Sequence, residues 1–237
     1  MQAALVVNGL TKTFRSGPKG RTMAVRALRG VNLEIAPGEI VGLVGPARAG
    51  KSTFLLCAAG LLRGEEGTVS WFGEHITRHR VPIGLAYVPQ RAGYYSFLSV
   101  REALEYYATL HELSFDDRAL HVEHALRAVS LHFHANRKVS HLSPSLFQRL
   151  GLAQALVGSP RALLLDETLC GQGLLFDKEI VAVLMRLSRL GVTTILSAPN
   201  AVELHRVATR IVRLSEGQVV TPRHEVQLRT ADMAFSC

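Results

Sequence analysis

Apolar residues in the first third of the chain fall in short runs that read as strands: Ala4–Val7, Val31–Ile35, Glu39–Val44, Thr68–Phe72 and Leu85–Val88. Turn signals at Pro37-Gly38 and Gly64–Gly67 separate them. The period then changes. Ser99, with Glu102 three residues on, predicts a helix running to about Leu110; a second is expected over Asp116–Val129, and a third begins at Ser143-Pro144. Farther on, strand and helix alternate: Ala162–Leu165, a helix near Phe176–Leu190, Thr193–Ser197, a helix near Ala201–Val207, and Arg210–Leu214. Such alternation predicts a mainly parallel sheet with helices on its faces, here carrying a helical insertion at about 91–158. There is no internal repeat, and the residues from about Thr221 read as a loosely structured tail.

Composition fits that picture. With 237 residues, 48% of them apolar, the chain can bury a sizeable core as one α/β domain or as a core with an inserted subdomain. No apolar run approaches the ~18 residues of a spanning helix, and the start, Met1-Gln2-Ala3-Ala4-Leu5, lacks the basic-then-apolar pattern of a signal peptide. The expected location is therefore cytoplasmic, peripheral to the inner face of a membrane only through a partner. Cys57, Cys170 and Cys237 have no metal-ligand spacing and suit a reducing compartment.

The net charge of +8 admits nucleic acid, an anionic membrane face, or nucleotide phosphate as partners. The densest basic groups, Arg15 with Lys19 and Arg21, and Arg78 with Arg80 near His75 and His79, have no interleaved aromatics for base stacking. They read as solvated loops, and nucleic acid is not an expected partner. His121 and His124, with His132 and His134 close behind, have zinc-compatible spacing but no converging acid or cysteine, and read as a solvated helical face. Trp71 and Phe72 read as packing.

The candidate chemistry lies after the run Glu39–Val44. Gly45-Pro46-Ala47-Arg48-Ala49-Gly50-Lys51-Ser52-Thr53 fits G-x-x-x-x-G-K-[ST], a strand-to-helix loop that binds phosphate. Glycines let the backbone present N–H groups, Lys51 meets the β/γ charge, and the Ser52 hydroxyl reaches Mg²⁺. The helix expected from Lys51 to about Leu62 aims its positive end at the same phosphates. The second landmark is Ala162-Leu163-Leu164-Leu165-Asp166-Glu167. At the carboxyl end of a sheet strand, Asp166 can hold Mg²⁺ and Glu167 can polarise an attacking water.

With these two sites in hand, the chain resembles the ATP-binding subunit of an ABC transporter from Leu5 to Val220. The resemblance implies a P-loop NTPase α/β fold: a mainly parallel sheet with an N-terminal antiparallel β subdomain (1–90 and 159–220), an inserted α-helical subdomain (91–158) and a C-terminal tail (221–237). It implies ATP and Mg²⁺ as cofactors, a transmembrane permease and a second ABC subunit as partners, and ATP sandwiched between the two subunits. Phe14 stands where the family stacks an aromatic on adenine, and Gln90 where a glutamine senses Mg²⁺ and the membrane partner. Ser143, Pro144 and Ser145, in Leu142–Leu150, align with the signature that faces the other subunit's nucleotide. Ser96–Leu104 is similar to exporters of the drug, lipid or polysaccharide type.

Several positions depart from the family pattern. Both signature glycines are replaced, by Pro144 and Ser145; this leaves a good helix start but crowds the surface a partner's phosphate must approach. Pro199 occupies the place of a histidine that holds γ-phosphate and water, with Asn200 beside it. Gly173, in Leu169–Gly173, replaces an aspartate that couples the two sites, and Arg48 replaces a loop glycine, either straining the loop or adding a cation over the phosphates. Slow hydrolysis is expected, with a regulatory subunit that clamps ATP as the alternative.

Overall fold

The computed structural model describes residues 2–16, 23–77, 80–111, 113–169, 175 and 177–220. Two sheets share the described chain. The first is antiparallel, in the order β2-β1-β4-β5, built from β1 (Leu5–Ser16), β2 (Met23–Ile35), β4 (Glu66–Trp71) and β5 (Glu74–His75). The second runs β10-β9-β3-β8-β7-β6, from β3 (Ile40–Val44), β6 (Leu85–Val88), β7 (Ala162–Asp166), β8 (Thr193–Ala198), β9 (Arg210–Ser215) and β10 (Gln218–Val220). Its strands pair in parallel except for β10, which folds back on β9.

β7 shows how the sheet is buried on both faces. Leu163 and Leu165 join the core cluster that holds Leu150 and Leu184, whereas Ala162 and Leu164 join the one that holds Phe54 and Trp71. Alternate residues of one strand therefore feed two cores. Each large side chain so buried contributes about 1.5–3 kcal/mol.

Helices α2 (Val100–Leu110), α3 (Phe115–Ala128) and α4 (Pro144–Val157) lie between β6 and β7 in the chain, and α5 (Lys178–Arg189) lies between β7 and β8. The predicted capping box is present: Glu102 N–H donates to Ser99 Oγ at 3.2 Å, and Ser99 N–H donates to the Glu102 carboxylate at 2.7 Å. Ser143 caps α4, accepting from Leu146 N–H, with Pro144 as its first residue.

The structure corrects several expected boundaries. The helix that opens at Lys51, α1 (Lys51–Ala58), stops well short of Leu62. Gly60 turns left-handed at φ +73°, Leu61 N–H returns to Leu56 O and Gly60 N–H to Cys57 O, which is a Schellman ending. The buried Trp71 indole takes the Ala58 carbonyl at 2.7 Å. The helix expected near Ala201–Val207 is only a 3₁₀ turn at Leu204–Arg206, and two further 3₁₀ turns, His132–His134 and Val139–His141, lie between α3 and α4. The first two strands reach far beyond Ala4–Val7 and Val31–Ile35. Their outer ends, Phe14–Arg15 and Met23–Arg26, are exposed and pair through the backbone, with bulges that break the alternation.

Cys57 is buried, and burial pushes its thiol up to about 11, so it stays protonated and unreactive. Cys170 and Cys237 lie outside the described residues, as do Lys19, Arg21, Arg78 and His79.

Candidate nucleotide site

The loop after β3 is shaped by what surrounds it. A Cβ on Gly45 would lie 2.1 Å from the Leu214 carbonyl oxygen, and one on Gly50, at φ +104°, would lie 2.4 Å from that of Ala27. Only glycine fits either place. Gly45 N–H donates to Ala198 O at 3.3 Å and Gly217 N–H to Ala49 O at 3.0 Å, tying the loop to β8 and to the β9–β10 turn. Pro46, Ala47 and Arg48 form the exposed outer rim, and Ala49 is buried. Arg48 adopts φ +66°, a conformation that costs a non-glycine residue about 1–2 kcal/mol.

α1 begins without a side-chain cap and with no acid in its first turn. Its N-terminal amides and dipole therefore face the loop unneutralised, an arrangement suited to an anion. Lys51 is buried, and its ammonium donates to Gly45 O at 2.6 Å and to Pro46 O at 3.2 Å. It also pairs with Glu167 Oε1 at 3.1 Å. Ser52 is exposed and Thr53 half-buried in the same turn.

The acidic end of β7 is held from several sides. Asp166 is buried; Ser197 Oγ donates to its Oδ1 at 2.7 Å and Tyr87 OH to its Oδ2 at 3.2 Å. Burial, aided by the Asp166 carboxylate, pushes the Tyr87 phenol well above its usual range, so it remains a donor. Glu167 turns left-handed at φ +49°, and its N–H donates to Ser197 Oγ at 2.9 Å. Gln90 Nε2 donates to Glu167 Oε2 at 3.0 Å. The structure thus brings Lys51, Glu167 and Gln90 into direct contact, with Asp166 linked through the Ser197 hydroxyl.

Other candidates lie apart from that contact. Phe14 sits on β1, 43% exposed, with the Lys12 ammonium 5.6 Å from its ring centre. Ser143 and Pro144 are exposed at the start of α4, and Ser145 is half-buried. Arg149 of the same helix ion-pairs with Asp177 and lies 3.6 Å from Glu179, while donating to Val129 O at 2.7 Å. α4 is thereby fastened to α5 and to the end of α3.

Pro199 and Asn200 follow β8 at the surface, and Asn200 Oδ1 accepts from Val202 N–H at 3.0 Å. That oxygen stabilises a turn. Leu169 is buried, and Cys170 to Gly173 lie outside the described residues.

Two participants, Tyr87 and Ser197, show in the sequence only as strand residues. Their signal is one of register: β6, β7 and β8 pair in parallel, and Ser197 stands opposite Asp166. Among the described residues no three His, Cys, Asp or Glu side chains cluster as a metal site. His121 Nδ1 lies 2.8 Å from Val157 O, within its own helical surroundings. An anion-ready loop beside one buried carboxylate and a hydroxyl suits a divalent cation carried in with a phosphate, not one held by a protein cage.

The ABC transporter family profile matches residues 28–170, and the chain belongs to that family. It is 33% identical over 204 residues to the sn-glycerol-3-phosphate import ATP-binding protein UgpC of Brucella abortus, covering 84% of this chain and 58% of that one. It is 34% identical over 199 residues to the sulfate/thiosulfate import ATP-binding protein CysA 2 of Shewanella oneidensis, covering 81% and 56%. The chain thus spans less than two thirds of the length of these relatives. Both relatives are named for import. An ATP-binding cassette solved as a dimer in a post-hydrolysis state with ADP and Pi superposes with a TM-score of 0.81 at 25% identity, covering 95% of this chain and 99% of that one. The α/β fold expected from the resemblance is the fold of such cassettes.

Proposed function

We propose that the chain is the ATP-binding subunit of an ABC-type membrane transporter, coupling MgATP binding and slow hydrolysis to transport through a separate permease. The observation that carries this reading is the contact of Lys51 with Glu167 at 3.1 Å, beneath the uncapped start of α1. Phosphate entering the loop exchanges with Glu167 for the Lys51 ammonium. The released carboxylate, still held by Gln90 through its other oxygen, is then placed to orient a water. Ser52, Asp166 and Gln90 would hold Mg²⁺, which when bound neutralises phosphate charge. Phe14 supplies a face for adenine, and Gly45 to Thr53 wrap the phosphates.

In this reading residues 1–90 and 159–220 form the nucleotide-binding core, 91–158 the helical subdomain and 221–237 a tail. Ser143, Pro144 and Ser145 face the nucleotide of a second ABC subunit. No described helix is long and apolar enough to cross a membrane, which fits attachment to the inner membrane face through the permease.

A second reading, a regulatory subunit that clamps ATP with little turnover, draws on Pro199 and on the Asn200 oxygen already used in a turn. Steady-state hydrolysis measured beside nucleotide affinity, with Glu167→Gln as the blank, separates the two. Tight binding with turnover that falls about 10²–10⁴-fold in Glu167→Gln supports the first. Binding with equal, residual turnover in both proteins supports the second, and no binding removes both.

A further inference from the structure

Among the described residues, the Ser197 hydroxyl is the one that touches both acidic residues of the candidate site. It closes an otherwise apolar stretch, Ile195-Leu196-Ser197-Ala198, and is 1% exposed. In the parallel β7–β8 pairing it stands directly opposite Asp166. A hydroxyl buried so deeply needs partners, and it has two from the same turn. It donates to Asp166 Oδ1 at 2.7 Å and accepts from Glu167 N–H at 2.9 Å.

The second of these bonds falls where the backbone is strained. Glu167 is left-handed at φ +49°, a conformation that costs a non-glycine residue about 1–3 kcal/mol. In that conformation its carboxylate meets Lys51 at 3.1 Å and Gln90 at 3.0 Å. Tyr87 holds the other Asp166 oxygen at 3.2 Å, so the aspartate is gripped at both ends.

We propose that Ser197 is a positioning residue for this site: one hydroxyl fixes the Asp166 carboxylate toward the cation of MgATP and holds the left-handed turn that presents Glu167 to the phosphate loop. This rests on the nucleotide-binding reading above. Without the hydroxyl, Asp166 Oδ1 and the Glu167 amide each lose a buried partner, and both acids are free to reorient.

The test uses the purified chain with Ser197→Ala and Ser197→Thr. ADP affinity is titrated with Mg²⁺ and with EDTA, and kcat and KM for ATP and the melting temperature are measured alongside. Ser197→Ala is expected to bind metal-free ADP as the unmodified protein does, while the tightening produced by Mg²⁺ falls about tenfold. Its kcat falls by a similar factor with KM little changed, and Ser197→Thr regains both.

Three results would overturn the proposal. One is an unchanged Mg²⁺ increment in Ser197→Ala; another is a threonine variant no better than alanine. The third is a parallel loss of metal-free binding and melting temperature, which marks Ser197 as structural only. If the unmodified chain shows no Glu167-dependent hydrolysis, the transport-ATPase reading fails by itself, and the Mg²⁺ increment still decides on Ser197.

Discussion

The phosphate loop and the start of α4 are constrained differently by their surroundings. At Gly45 and Gly50 a single added carbon would run into a backbone carbonyl, at 2.1 and 2.4 Å. At Ser143 to Ser145 the backbone asks only for a cap and a first residue near φ −65°, and serine followed by proline supplies both. In the proposed reading, the residues that serve this chain's own nucleotide are thus pinned by its own packing. Those that would face another subunit's nucleotide need supply only a cap and a helix start, so they can change while the fold survives.

The largest expected effect breaks the first half. Lys51→Ala removes the buried ammonium and leaves Glu167 without its cation, and nucleotide affinity measured by calorimetry should fall by two orders of magnitude or more, about 3 kcal/mol. Retained affinity would show that the loop binds through its amides alone. Restoring the second half should have a smaller and opposite effect. Pro144→Gly and Ser145→Gly combined with Pro199→His should raise steady-state turnover about tenfold or more, since one positioned polar group is commonly worth about 2–4 kcal/mol at a transition state. No gain would mean that these positions do not limit the reaction.

The smallest effect concerns a helix cap remote from either half. Ser99 N–H donates to the Glu102 carboxylate and holds its carboxyl below the usual 4.5. A carboxyl depressed in the folded state stabilises above its unfolded pKa and loses that contribution as pH falls through the folded one. The gap in melting temperature between the unmodified protein and Glu102→Ala should therefore be open at neutral pH and narrow below pH 4.5. An equal gap at both extremes would assign the effect to helix propensity instead of charge.

Much of this was legible from the chain because the signals were local. G-x-x-x-x-G-K-[ST] after an apolar run marked Gly45 to Thr53, and Ser99 with Glu102 marked α2. What escaped was set by partners distant in sequence. α1 ends at Ala58 because Gly60 turns and Trp71 caps the carbonyl, neither of which changes the helical pattern of Lys51 to Leu62. The outer ends of β1 and β2, Phe14–Arg15 and Met23–Arg26, have no buried face to impose alternation. Tyr87 and Ser197 are ordinary strand residues until parallel pairing carries them to Asp166.

The Ala27 carbonyl that bars a side chain from Gly50 stands nearly as close, at 2.6 Å, to any Cβ on Gly217. A residue in a late hairpin, with no chemistry of its own, therefore shares the selective pressure of the phosphate loop. In a saturation mutagenesis screen Gly217 should score beside Gly45 and Gly50, while its neighbour in sequence, the exposed Gln218, should accept almost anything.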